Sequence, residues 1–350
     1  MAKKRRNIES ADALDAVEAV IRSAPKGRQN FFEANLIPLK GDSKKTRRRK
    51  LILDSCFCII FICSLVILWV GVIDPARNAG LGDELIGHTL APVVTTQPPS
   101  TSKGQTTTAA PPKQHMDYAK LKAINDEYVG WLRVPGANID TPLVQTENNN
   151  YYLYRNFKRE PSRYGNPFLD YRVGMDPIST NLIVYGHHMS NGKIFTKLLN
   201  YQQLDTVKKS PIITLELKDR VLQYKVMAVF VINGRREHDN GYVFAANTPE
   251  FPNKKSFDGF VRQLQQRTFI QTGVDVQWGD SLISLQTCIY DFKDEYLYVV
   301  GRLVRPGESA SVPADQIKKN PDPRMPQKLC DVRGYANHYR NAERWEAPGA

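Results

Sequence analysis

Cysteine is scarce in this chain: five among 350 residues. Three of them, Cys56, Cys58 and Cys63, sit inside one apolar run, which leaves no framework for a disulfide-built scaffold. No His, Cys, Asp and Glu group stands at metal-ligand spacing, so no metal and no other cofactor is expected. No internal repeat is visible, and 22 Gly and 22 Pro without a period exclude collagen. Long hydrophobic runs are limited to one, Leu51 to Ile73, which excludes a multi-span membrane protein. With 24% charged and 41% hydrophobic residues, a disordered polyelectrolyte is excluded as well.

The formal charge is +12, a value that invites a nucleic-acid or anionic-membrane partner. Its placement decides between them. The first fifty residues carry 14 Lys+Arg and 6 Asp+Glu, hence +8, and close on the run Lys44-Lys45-Thr46-Arg47-Arg48-Arg49-Lys50. The apolar run follows at once. As a helix, Leu51 to Ile73 spans about 34 Å, enough to cross a ~30 Å hydrocarbon core. It is longer than a secretory h-region and lies behind fifty residues, so the expectation is an uncleaved transmembrane helix, not a signal peptide. The positive-inside rule then puts residues 1–50 in the cytoplasm and everything after about Asp74 outside the cell. Cys56, Cys58 and Cys63 read as small apolar fillers, with palmitoylation of Cys56 the alternative. Because the charge is cytoplasmic and no aromatic-basic interleaving marks the outer part, no nucleic-acid partner is expected.

Residues 74–115 are rich in Pro and Thr and read as an extracellular spacer. Residues 116–307 show mixed signals. Tyr118, Leu121, Ile124, Tyr128 and Trp131 share one face at helical spacing, which predicts a helix over Asp117 to Leu132. Strands are expected at Ile139–Gln145, Pro167–Tyr171, Asn181–Tyr185, Ile212–Leu217, Arg220–Ile232, Ser281–Thr287 and Leu297–Val304, with one helix at Lys255–Arg267. Many short strands and few helices point to a mainly β fold, a barrel or sandwich with peripheral helices. Residues 308–350 read as a polar C-terminal extension.

Beyond the apolar run only Cys288 and Cys330 remain. A disulfide between them is one reading, since the compartment is oxidising. The other is a nucleophile: Cys288 directly follows a strand whose Ile283, Leu285 and Thr287 share a face. A free thiol has a pKa of about 8.5 and needs a partner at neutral pH. His187 and His188 follow the apolar run Leu182–Tyr185 and Gly186, so an imidazole emerges at a strand terminus; a surface histidine pair is the alternative.

These residues carry a resemblance. Tyr185-Gly186-His187-His188-Met189, with Asn191-Gly192 and Phe195, resembles the Tyr-Gly-His-Asn-Met segment of class B sortases, and Leu285-Gln286-Thr287-Cys288 resembles their Leu-Ser-Thr-Cys signature. Trp131-Leu132 to Pro135-Gly136, Ile139-Asp140, Asn149 to Tyr152, Phe168 to Tyr171, the helix before the cysteine, and Thr272 to Asp275 follow in the family's order. The likeness covers about Asp117 to Arg305. It implies an eight-stranded barrel with added helices, preceded by one transmembrane helix, and a cysteine transpeptidase anchored outside a Gram-positive cell membrane.

By position, the resemblance makes Cys288 the nucleophile that forms a thioacyl intermediate with the threonine of a C-terminal sorting motif. His187 is then the proton donor and acceptor, while an amine of a peptidoglycan cross-bridge or a pilin takes the acyl group. Gln286 and Thr287 are expected at the substrate, and His188, at the family's Asn position, is structural. One departure stands out: the family's catalytic arginine position is occupied by Tyr296, whose hydroxyl becomes the candidate oxyanion donor, with Lys293 a second candidate. Arg302 aligns some 20 Å further along the strand. The departure leaves a second reading open, a catalytically impaired sortase-like protein that binds and recruits surface-protein or pilus substrates.

Overall fold

A computed structural model describes residues 41–88 and 116–348. The basic tail up to residue 40 and the Pro/Thr-rich stretch from 89 to 115 lie outside the described residues. The chain divides into two compact units, Met1–Pro75 and Ala76–Ala350.

In the first unit, helix α1 (Lys44–Leu68) opens on Ser43, whose hydroxyl accepts the Thr46 N–H at 3.2 Å, and a π turn, Trp69–Ile73, follows it. The hydroxyls of Ser55 and Ser64 fold back on the carbonyls of Leu51 and Ile60, each at 2.8 Å. Among the described residues one helical stretch, Lys44–Arg77, is long and apolar enough to cross a membrane. Helix α2 (Asp74–Ile86) occupies the start of the expected spacer. In the second unit its Leu85 is buried with Leu121, Tyr128 and Phe157, and its Glu84 pairs with Lys158 at 2.8 Å.

Eight strands close into a barrel in the order β1-β2-β3-β4-β8-β9-β6-β5. They are β1 (Tyr128–Val134), β2 (Ile139–Val144), β3 (Phe168–Leu169), β4 (Asn181–Tyr185), β5 (Ile212–Glu216), β6 (Val221–Asn233), β8 (Leu282–Ile289) and β9 (Glu295–Leu303). The expected mainly β barrel with peripheral helices is the observed architecture. Every expected strand is present within a few residues, because alternating β-branched and aromatic residues suit a pleated, buried surface.

The helix expected over Asp117–Leu132 is cut short. Helix α3 is Tyr118–Ile124, capped by the Asp117 carboxylate on the Lys120 N–H, and Tyr128 and Trp131 belong to β1. Asn125 turns the chain into extended geometry. Beyond it, β1 is covered on both faces, so residues at helical spacing are buried in a strand, and periodicity cannot separate the two cases.

Helix α4 (Leu204–Lys209) leads into β5. Helix α5 (Lys254–Arg267) begins at Asn253, whose side chain accepts the Ser256 N–H at 3.0 Å. Its Phe257, Phe260, Val261 and Leu264 pack on the outer face of β6, β8 and β9. The barrel interior is filled by Ile183, Ile213, Val229, Ile283, Leu285, Leu297 and Val299.

Residues 308–348 are folded onto this unit. β10 (Lys318–Lys319) pairs with β7 (Ile270–Gln271), helix α6 (Gln327–Arg333) buries Leu329 and Cys330, and the Trp345 indole donates to Ser256 O at 3.0 Å. The stretch is polar in composition yet supplies enough apolar anchors to dock.

Candidate active site

Two of the barrel pairings are parallel, β2–β3 and β4–β8. The second sets Tyr185 beside Gln286, so both strands run out at the same end of the barrel. His187 and His188, just past β4, therefore arrive beside Cys288 near the end of β8. The strand extends two residues further than expected, to Ile289, and Cys288 lies within it. Ile283, Leu285 and Ile289 point into the barrel. By the two-residue alternation of a strand, Gln286 and Cys288 point outward.

The loop that carries the histidines is tightly closed. His187 O accepts the Phe195 N–H at 3.0 Å, His188 bridges Ile194, and Thr287 Oγ1 donates to Gly186 O at 2.8 Å. Gly186 is required here, since a Cβ would run into the Phe195 ring.

His187 Nε2 lies 2.8 Å from Leu153 O, and His188 Nδ1 lies 2.9 Å from Cys288 O. A carbonyl only accepts, so each of these nitrogens carries the proton. The basic nitrogen of neutral His187 is then Nδ1, and that of His188 is Nε2. Rings flank both: Tyr154 is 6.4 Å from His187, and Tyr290 is 5.0 Å from His188.

Cys288 faces Tyr296 directly across the antiparallel β8–β9 ladder, a placement that brings side chains together on one face. Burial, and after it the Asp294 carboxylate, push the Cys288 thiol up. Burial and then the Cys288 and Asp294 charges likewise raise the Tyr296 phenol. The Tyr296 ring lies over Gly234, where a Cβ would come within 2.7 Å of it. Arg235 ion-pairs with Asp294, and this contact holds the Asp294 carboxyl below its usual range.

The other expected site residues separate. Gln286 stands on the Cys288 side and accepts from the Tyr298 hydroxyl. Thr287 is buried, with its hydroxyl committed to the backbone of Gly186. Lys293 is exposed in the 290–294 loop. Arg302 pairs with Leu282, six positions from Cys288, is 1% exposed and is tied to Glu308 at 2.8 Å. Cys288 and Cys330 are both free thiols, and Cys330 is buried on α6.

Arg235, Asp294 and Glu295 escaped the sequence reading. Each is a charged residue at a strand end, with nothing local to separate it from a solvated surface charge.

No family model matches the chain. Sortase B of Listeria monocytogenes is 30% identical over 186 residues, covering 53% of this chain and 72% of that protein. Sortase B of Staphylococcus aureus is 27% identical over 190 residues, covering 54% and 75%. Among solved structures, Clostridium perfringens sortase B has 26% identity and a TM-score of 0.49, covering 53% of this chain and 99% of the other. A sortase B crystallised with triglycine has 25% identity and a TM-score of 0.48, covering 54% and 85%. The match to the Listeria protein defines the class: the chain belongs to the sortase B family, a family of cysteine transpeptidases.

Proposed function

We propose that the chain is a membrane-anchored class B sortase in which Cys288 and His187 act on the C-terminal sorting motif of secreted proteins. The observation that carries this is the parallel β4–β8 pairing, which brings the His187-His188 turn beside a free cysteine on the outer strand face. In the proposed reaction His187 Nδ1 takes the Cys288 proton and the thiolate adds to the carbonyl carbon of a threonine. The C–N bond breaks, the imidazolium protonates the departing amine, and a thioester remains. An incoming amine, from a peptidoglycan cross-bridge or a pilin, gives its proton to His187 as it attacks, and Cys288 is released. Because burial and Asp294 disfavour the free thiolate, a base beside the thiol is a requirement of this scheme.

The Tyr296 hydroxyl is the proposed donor to the oxyanion, and Gln286 lines the substrate. Helix α1, with its exposed apolar surface and self-satisfied serines, supports an anchor whose basic N-terminal side is cytoplasmic and whose barrel is extracellular. The proposed division is a cytoplasmic tail to residue 50, a span over 51–73, a spacer, the catalytic barrel to about 307 and the docked extension.

The test is cleavage of a sorting-peptide library by the full chain, with triglycine as acceptor and Cys288→Ala as control. Cys288-dependent cleavage and a triglycine-linked product are expected. One observation favours a second reading, a catalytically impaired protein that recruits substrates: no cation occupies the position facing Cys288 on β9. Losing an oxyanion donor costs ~10²–10³ in rate. Tyr296→Phe therefore drops turnover by about that factor if the hydroxyl serves. A Tyr296→Arg variant that gains activity over a nearly inert parent supports the recruiter.

A further inference from the structure

Two loops flank Cys288, and one short helix grips both. The first loop, residues 290–294, begins two residues after Cys288 and carries Asp294. The second, residues 234–253, runs from β6 to α5 and carries Arg235, the partner of Asp294. Helix α6 spans the pair.

At its start the Gln327 N–H donates to the Asp239 carboxylate of the second loop at 3.0 Å. At its end Arg333 Nη2 and Nε reach Asp291 Oδ2 of the first loop at 2.8 and 3.3 Å. Between these ends Leu329 and Cys330 join the cluster that holds Ile289 and Phe292, directly after Cys288 in the chain. His238 of the second loop meets Phe292 of the first edge-on at 5.0 Å, and Gly334, at φ 69°, stops the helix just after Arg333.

The first loop is held from within as well. Glu295 Oε2 accepts the N–H groups of Asp291 and Phe292 at 2.9 and 3.4 Å. Asp291 is therefore fixed by its main chain on one side and by α6 on the other.

We propose that the C-terminal segment acts as a brace for the active site, with Arg333 as a positioning residue that sets the 290–294 loop, and through it Asp294 and Tyr296, against Cys288. The proposal rests on the reading of Cys288 as the nucleophile. Nothing in it requires α6 to touch substrate: the helix acts by removing the freedom of a loop whose Asp294 charge bears on the thiol. A misplaced catalytic group lowers turnover without weakening binding, because the loss falls on the transition state.

The experiment compares full-length wild type with Arg333→Ala, Asp291→Asn, the exchange pair Arg333→Asp with Asp291→Arg, and Lys328→Ala, an exposed residue of the same helix, as control. Three readouts are taken: peptide cleavage, amide hydrogen exchange at Asp291 and Phe292, and the pH midpoint of Cys288 alkylation resolved by peptide mass. Arg333→Ala and Asp291→Asn are expected to lower kcat by about tenfold with KM within about twofold. They should also speed exchange at both amides and move the alkylation midpoint to lower pH as Asp294 is freed. The exchange pair restores kcat at least halfway, and Lys328→Ala matches wild type.

Unchanged exchange and alkylation in Arg333→Ala overturns the proposal, as does a lowered melting temperature with kcat intact. If wild type cleaves no library peptide, the transpeptidase reading fails, and the exchange and alkylation arms still decide whether α6 braces the loop.

Discussion

The two faces of the β8–β9 hairpin are built on opposite terms. The inner face, Ile283, Leu285, Ile289, Leu297 and Val299, is apolar and fully buried. The outer face carries Ser284, Gln286, Cys288, Tyr296, Tyr298 and Arg302 along the same two strands. At the Leu282 and Val300 end α5 covers it, while at the other end Cys288 and Tyr296 are half-buried and Tyr290 beside them is 71% exposed. Residues one apart in sequence thus serve different masters. The inner set secures the barrel, and the outer set is free to carry chemistry because the inner one has already fixed the backbone.

His187→Ala strikes the Cys288 end hardest. It is expected to lower kcat/KM by about 10³-fold, or about 4 kcal/mol, with the melting temperature within a degree or two of wild type. His188→Ala, which loses a bond to Cys288 O, should cost far less. Equal losses in the two would assign the proton transfer to the pair and not to His187.

Leu285→Ala attacks the other face. It should lower unfolding free energy by about 2–5 kcal/mol in denaturant titration, while the residual folded fraction keeps its KM. A large KM change would show that the two faces are not independent.

The inner face carries one charged residue, Glu295, which is 1% exposed and has one carboxylate oxygen without a hydrogen-bond partner. Burial, and then the Asp291 charge, push its carboxyl up to about 7. A carboxyl whose folded pKa exceeds its unfolded value of 4.5 binds more protons in the native state between those pH values. Stability is therefore full below about pH 4.5 and falls as pH rises through about 7, by up to about 3 kcal/mol. Glu295→Gln should flatten that decline, as read from denaturation midpoints at pH 5 and pH 8. The smallest effect is electrostatic: Asp294→Asn should raise Cys288 alkylation at pH 7 by about threefold, since the charge that disfavours the thiolate is gone.

Seven of the eight barrel strands were readable from alternation or, at β4, from the short apolar run Leu182–Tyr185, and α5 because Phe257, Phe260, Val261 and Leu264 repeat at helical spacing. Cys288 and the histidine turn were readable from short motifs bounded by Gly186 and a strand. Helix α3 was overextended for a physical reason: β1 is buried on both faces, so its Tyr128 and Trp131 continue the helical pattern by coincidence. Helix α6 and its hold on Asp239 and Asp291 left no local signal. Gln327, Arg333, Asp239 and Asp291 look like ordinary surface residues until the fold brings stretches some ninety and forty residues apart together.

The parallel β4–β8 pair also orders events in time. A parallel pair cannot close as a hairpin, and here the strands are separated by β5, β6 and α5, so about a hundred residues must be arranged before Cys288 meets the histidine turn. A chain still emerging or partly folded holds a thiol with no imidazole beside it. On the proposed reading of Cys288 as the nucleophile, reactivity and completed folding thus become one event, and an unfinished copy stays chemically silent.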